Sequence, residues 1–288
     1  MIMHYIIRTV FFTCLLLYCS ASFAAPTRIV SANLCADQLL LQLADKNQIR
    51  AITSLSKDPA LSYFIDKTQG LDVIRGTLES ILPMQPDLVL LGTDKMSDAS
   101  EAALESLGIH VLRVGMPNTI KEVEKQIHEV ADAIGKRDRA KSLISKMQSQ
   151  LIQSRLIVQK FDYAPRIAFM YNGGYAEGRG GLLQNMLNII GLENLIKNQQ
   201  DANLSLESLI TETPDMIVQS EAASQNNPSL DSVRMNHPAM KKLDPLTFLY
   251  LPPAMMICGN NAIAEVAKNI TNHLLEIQPP ATQVGFAP

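Results

Sequence analysis

Leu78-Glu-Ser-Ile-Leu-Pro-Met-Gln-Pro-Asp-Leu-Val-Leu90 returns 128 residues later as Leu206-Glu-Ser-Leu-Ile-Thr-Glu-Thr-Pro-Asp-Met-Ile-Val218. The opening Leu-Glu-Ser and the Pro-Asp pair match without a gap, and the apolar positions match in kind. Each copy reads as a short helix, a Pro-Asp turn and a buried strand, because Pro ends the helix and Asp begins the strand. A unit built twice at this distance implies two lobes of like construction. The chain has 288 residues, enough for two cores.

Outward from the first copy, apolar runs alternate with helical patterns. Arg28–Ser31, Ile49–Thr53, Asp87–Leu91 and Ile109–Val114 read as buried strands, with helices over Ala36–Ala44 and Ser97–Ser106. Strand–helix alternation points to a parallel α/β sheet. Ile120, Val123, Ile127, Val130 and Ile134 then recur at helical spacing, up to Gly135. A second helical pattern runs from about Asp138 to Lys160, with Leu143, Ile144, Met147, Leu151 and Val158 on its apolar side. At 1.5 Å per residue it would be roughly 35 Å long. The α/β pattern restarts with strands at Arg166–Met170, Asp215–Gln219 and Thr247–Leu251, and helices at Leu182–Ile190 and Ala262–Leu275. The predicted fold is α/β, with two Rossmann-like lobes joined by a single long helix and a ligand cleft between them. The predicted divisions are a lobe over 25–135, a connecting helix over 136–161 and a second lobe over 162–288.

The first 24 residues read as a cleavable signal peptide. Arg8 is their only Lys or Arg, an apolar run covers Val10–Tyr18, and Ser22 and Ala24 are small residues before the expected cut. The apolar core is short of the roughly 20 residues that span a bilayer. Tyr18 before Cys19 disfavours a lipid-modified cysteine. The expectation is a soluble periplasmic protein. Without Arg8 the chain has 24 basic and 28 acidic residues, a net charge of −4 that attracts neither nucleic acid nor an anionic membrane. Hydrophobic residues make up 47% and charged residues 18%, which excludes disorder and a disulfide-dense miniprotein.

These stretches together resemble a helical-backbone (class III) periplasmic substrate-binding protein of ABC importers, the group handling vitamin B12, iron–siderophores and haem. The marks are Arg28-Ile-Val-Ser-Ala-Asn-Leu-Cys-Ala-Asp-Gln-Leu-Leu, the two Leu-Glu-Ser and Pro-Asp repeats, and the long helix between them. The resemblance implies that Glu79 and Glu207 dock into Arg-rich pockets of an ABC permease dimer with its ATPase subunits. Charge-assisted contacts suit such reversible docking. The simpler reading of each Glu is a dipole-favoured acid in a first helical turn.

The resemblance also implies an inter-lobe cleft, and open α/β sheets bind ligands at the carboxyl ends of their strands. Counting strand ends gives Asn33, Leu34, Cys35, Lys57, Asp58, Thr93 and Met116 in the first lobe, with Ser56 and Asp94 beside them. The second lobe gives Tyr171, Asn172, Tyr175, Arg179 and Glu221, with Glu177 between. The glycines of 172–181 allow a bulky ligand to approach, the tyrosines can stack, and Arg179 can pair a carboxylate or catecholate. No Trp is present to form an indole platform.

Expected partners are a small-molecule metal chelate, a ferric siderophore or cobalamin, and the permease; the protein is read as a monomer. No cofactor is expected beyond the metal the ligand carries. His110, His128, His237 and His273 show neither HxxxH nor HExxH spacing, so no protein-bound metal is expected. The alternatives are an exported α/β enzyme using loop 172–181, or a haem- or bare-metal-binding protein of the same fold. Against an enzyme, there is no GxGxxG, no P-loop lysine and no GxSxG. Cys35 and Cys258 each fall between a strand and a helix, one per lobe; the reading adopted is two buried free thiols, over a pair across the cleft or contact of one with ligand. The long helix implies only modest closure on binding.

Overall fold

The computed structural model describes residues 25–93, 95–170, 180–196, 211–220 and 247–277. The first sheet holds β1 (Ile29–Ser31), β2 (Ile49–Thr53), β3 (Val73–Ile74), β4 (Leu88–Leu91) and β5 (His110–Arg113) in the order β3-β2-β1-β4-β5, all parallel. The second holds β6 (Arg166–Met170), β7 (Glu193–Asn194), β8 (Met216–Ser220) and β9 (Phe248–Leu251) in the order β7-β6-β8-β9, also parallel. The short edge strands β3 and β7 escape a sequence reading, since two residues carry no period.

Helices in the first lobe are α1 (Leu34–Leu43), α2 (Leu78–Ile81), α3 (Lys95–Ser106) and α4 (Ile120–Ala133). The chain passes from the first sheet to the second through α5 (Arg137–Val158). The second lobe adds α6 (Leu182–Ile190) and α7 (Ile263–Ile277). Gly135 separates α4 from α5 at φ +71°, and a Cβ there would lie 2.9 Å from Ala25 Cβ. Both the backbone angle and the space call for glycine.

The buried stripe Ala140, Ile144, Met147, Leu151 and Val158 seats α5 on α4 of one lobe and on α6 and α7 of the other. One continuous apolar core therefore runs from Leu39 and Ile52 through Met147 and Leu151 to Phe169 and Ile270. A second cluster, Val30, Ala51, Ile74, Ile81, Val89, Leu91 and Leu104, covers the other face of the first sheet. Coverage on both faces is what a parallel sheet requires.

The Pro-Asp part of the repeat, described in both copies, makes the same contacts in each lobe. Asp87 N–H donates to Arg28 O, and the Asp87 carboxylate accepts Arg28 N–H at 3.0 Å. Asp215 N–H donates to Arg166 O, and its carboxylate accepts Arg166 N–H at 2.7 Å. The residue before each repeat proline is left-handed, Gln85 at φ 50° and Thr213 at φ 37°.

Candidate functional site

In the first sheet the chain turns outward in both directions from β1 and β4, and in the second from β6 and β8. Such switch points open a crevice at the carboxyl ends of the strands. In the first lobe that end is built by Asn33 to Cys35, Thr93 and Met116. In the second, β6 and β8 end at Met170 and Ser220. Tyr171, Asn172, Tyr175, Arg179 and Glu221, expected to line the cleft from that side, lie outside the described residues, as do Asp94, Glu177, Glu207 and His237.

Asn33 caps α1: its Oδ1 accepts Cys35 N–H at 2.9 Å and Ala36 N–H at 3.3 Å. The helix thus starts two residues earlier than the apolar pattern suggests, and Leu34 and Cys35 sit in its first turn. Leu34, expected to face the ligand, is buried at 8% exposure, which leaves it little surface to offer. Lys57 is exposed, but its ammonium donates to Leu71 O at 3.1 Å. Asp58 Oδ1 accepts Ala60 N–H and so shapes its own turn. Thr93 is exposed. Met116 is 60% exposed and places its sulfur 3.9 Å from Cys35 Sγ.

The reading of two free thiols is overturned. Cys35 and Cys258 form a disulfide between the lobes, with Cα atoms 5.2 Å apart and 223 residues between them in sequence. Burial alone does not distinguish a thiol from half a disulfide; the packing of the two lobes decides. The loop before α7 lies directly on the first lobe, and a Cβ on Gly259 would fall 2.5 Å from Pro117 Cγ. Gln42 Nε2 donates to Asn261 Oδ1 at 2.7 Å across the same seam. On the other side, Ile120 N–H donates to Asn185 Oδ1 at 2.9 Å. There a crevice of about 400 Å³ opens between α4 and α6, lined by Asn118, Thr119, Gln184, Asn185 and Asn188 among others.

Beneath the first-lobe rim lies a group that the sequence reading passed over. Asp37 on α1 is fully buried. Its Oδ2 accepts Thr53 N–H at 3.0 Å, the Thr53 hydroxyl at 2.5 Å and the Ser56 hydroxyl at 2.7 Å. Its Oδ1 has no hydrogen-bond partner. Burial pushes the carboxyl up to about 7, and Ser31, Thr53 and Ser56 pull the other way. Gln38 next to it binds Ser62 Oγ and the N–H groups of Tyr63 and Phe64. Eight of the ten residues of α1 are buried, so the helix has almost no solvent face and Asp37 and Gln38 must be hydrogen-bonded inside. Together they tie the loops after β1 and β2, which form the cleft rim.

Glu79 is exposed in the short helix α2. Its own N–H and the Thr77 hydroxyl hold its carboxyl below the usual range. The charge is thus kept on the surface, as both capping and docking require. Among the described residues no three His, Cys, Asp or Glu side chains cluster as metal ligands, and no helix is long and apolar enough to cross a membrane.

Residues 29–245 match the family described as Periplasmic binding protein. The chain is 25% identical over 201 residues to the uncharacterized ABC transporter substrate-binding lipoprotein YvrC of Bacillus subtilis, covering 67% of this chain and 63% of that protein. It is 20% identical over 205 residues to a cobalamin-binding protein of Halobacterium salinarum, covering 69% of this chain and 55% of that one. It thus spans less than two thirds of the length of these curated relatives. Among solved structures, the periplasmic heme binding protein HutB of Vibrio cholerae superposes with a TM-score of 0.70 at 21% identity, over 86% of this chain and 98% of that one. That likeness concerns the fold.

Proposed function

The chain belongs to the periplasmic binding protein family, and from that premise we propose that it captures a small metal chelate outside the cytoplasmic membrane and delivers it to an ABC permease. The observation that carries the reading is a pair of parallel sheets, each with a switch point, in two lobes joined at Cys35 and Cys258. Ligand held there touches both lobes, so its presence is readable from outside as a change in their relative position. The chain performs no covalent chemistry. Shape and a few polar groups select the cargo.

Relatives named for cobalamin and heme binding support a chelate that carries its own metal. Ferric siderophores and cobalamin are the first candidates, with haem next. Met116, beside the disulfide, offers a soft apolar surface to a ring face, and Thr93 offers a polar contact. Residues 1–24 direct export and are removed, and Tyr18 before Cys19 favours a free periplasmic monomer over a lipoprotein such as YvrC.

Glu79 and Glu207 are the docking acids, one per lobe, for the two-fold permease. The test is uptake of labelled chelate by cells carrying Glu79→Ala with Glu207→Ala. Uptake falls at least tenfold while ligand affinity stays unchanged. Equal loss of affinity would remove these acids from docking, and unchanged uptake would do the same.

A further inference from the structure

We propose that the Cys35–Cys258 disulfide is the second pin of a two-pin hinge, α5 being the first, and that the pair confines relative motion of the lobes to one rotation. A rigid body joined to another at one point turns about any axis through that point. Joined at two separate places, it turns only about the line through both. The chain crosses between the sheets through α5, which packs on α4 of one lobe and on α6 and α7 of the other. The disulfide adds a covalent joint at a separate place, where the first turn of α1 meets the loop before α7.

The surroundings of the disulfide are those of a bearing. Gly259 lets the second-lobe loop lie against Pro117, where a side chain would collide. Gln42 reaches Asn261 two turns further along α1 on the same seam. Asn33 fixes Cys35 N–H, and Asp37 ties α1 to the end of β2, so the first-lobe half of the pin is held rigidly. Cys258 is 4% exposed, and Cys35 is partly exposed. The consequence for the cleft rests on the proposed function: the pin keeps the ligand loops of both lobes in register, so closure costs little ordering. The pin itself needs no ligand to be observed.

Spin labels on ketone-bearing residues at the exposed positions Leu107 and Asn188, one per lobe, give the inter-lobe distance distribution without added cysteines. The ligand-free oxidised chain gives one narrow distribution. Reduction with a water-soluble phosphine at least doubles its width: the phosphine gives two electrons to the S–S bond and becomes phosphine oxide with an oxygen from water, whose two protons go to the thiols. Cys35→Ser with Cys258→Ser does the same, with far-ultraviolet circular dichroism unchanged. An unchanged width in both cases overturns the proposal. So does loss of the folded spectrum in both, because the bond would then hold the fold rather than the hinge. No chelate enters this measurement, so failure to find a ligand cannot imitate either result.

Discussion

Asp215 stands to Arg166 as Asp87 stands to Arg28: the carboxylate receives the backbone N–H of Arg28, just before β1, in one lobe and of Arg166, the first residue of β6, in the other. The Pro-Asp pair is therefore a clamp between the two strands that flank each switch point. Asp87→Ala and Asp215→Ala leave that N–H without its partner. Hydrogen bonds to charged groups contribute about 1.5–3 kcal/mol, and both carboxylates stay partly in solvent, so each variant loses about 1–2 kcal/mol in urea unfolding. A loss below about 0.3 kcal/mol in both would contradict the clamp.

Thr213 holds φ 37°, a region that a β-branched residue rarely enters. Such strain costs on the order of 1–3 kcal/mol, against roughly 0.5–1 kcal/mol for the extra freedom of unfolded glycine. Thr213→Gly should raise Tm by about 1–4 °C. Calorimetry showing a lower Tm would mean that the Thr213 side chain contributes more than its backbone costs.

Asp37 makes stability depend on pH. Its folded pKa is about 7 against an ordinary 3.8, so the folded state binds the extra proton. Its contribution is full below about pH 4, is lost as pH rises to about 7, and is flat above. Asp37→Asn keeps the shape and removes the charge. The Tm of the variant minus that of the wild type should rise by about 3 °C or more between pH 5 and pH 8. A constant difference across that range would sink the assignment.

The disulfide predicts chemical silence. Alkylation of the unfolded, unreduced mature chain should label neither Cys35 nor Cys258, and mass spectrometry after digestion should recover their two peptides joined. Labelling of both would restore the free-thiol reading. Closing so long a loop stabilises by about 2–4 kcal/mol, and the double serine variant should lose that amount in urea unfolding.

The strands of three residues or more are legible because each holds a short apolar run, as at Leu88–Leu91 and Ile167–Met170. The repeat predicts two lobes of like construction, and two parallel sheets are found; the strand order within each carries no local signal. The edge strands at Val73 and Glu193 were not legible, because two residues carry no pattern. Nor was the start of α1: the Asn33 cap lies before the apolar period begins. At the first-lobe strand ends, Thr93 and Met116 are exposed. Leu34 is not, because the cap turns it inward. The disulfide was beyond the sequence reading, since pairing across 223 residues depends on how two separately patterned lobes pack. Asp37 is legible in principle, since a carboxylate on a helix buried nearly all round must find hydrogen-bond donors.

The most direct test of the central claim is a ligand titration followed by native mass spectrometry with intrinsic tyrosine quenching. Cobalamin, haem and a panel of ferric siderophores are titrated beside bare iron, zinc and manganese. The account predicts submicromolar one-to-one binding of one chelate, with the bare ions inert. Binding of a bare ion at that affinity, with every chelate inert, would contradict it.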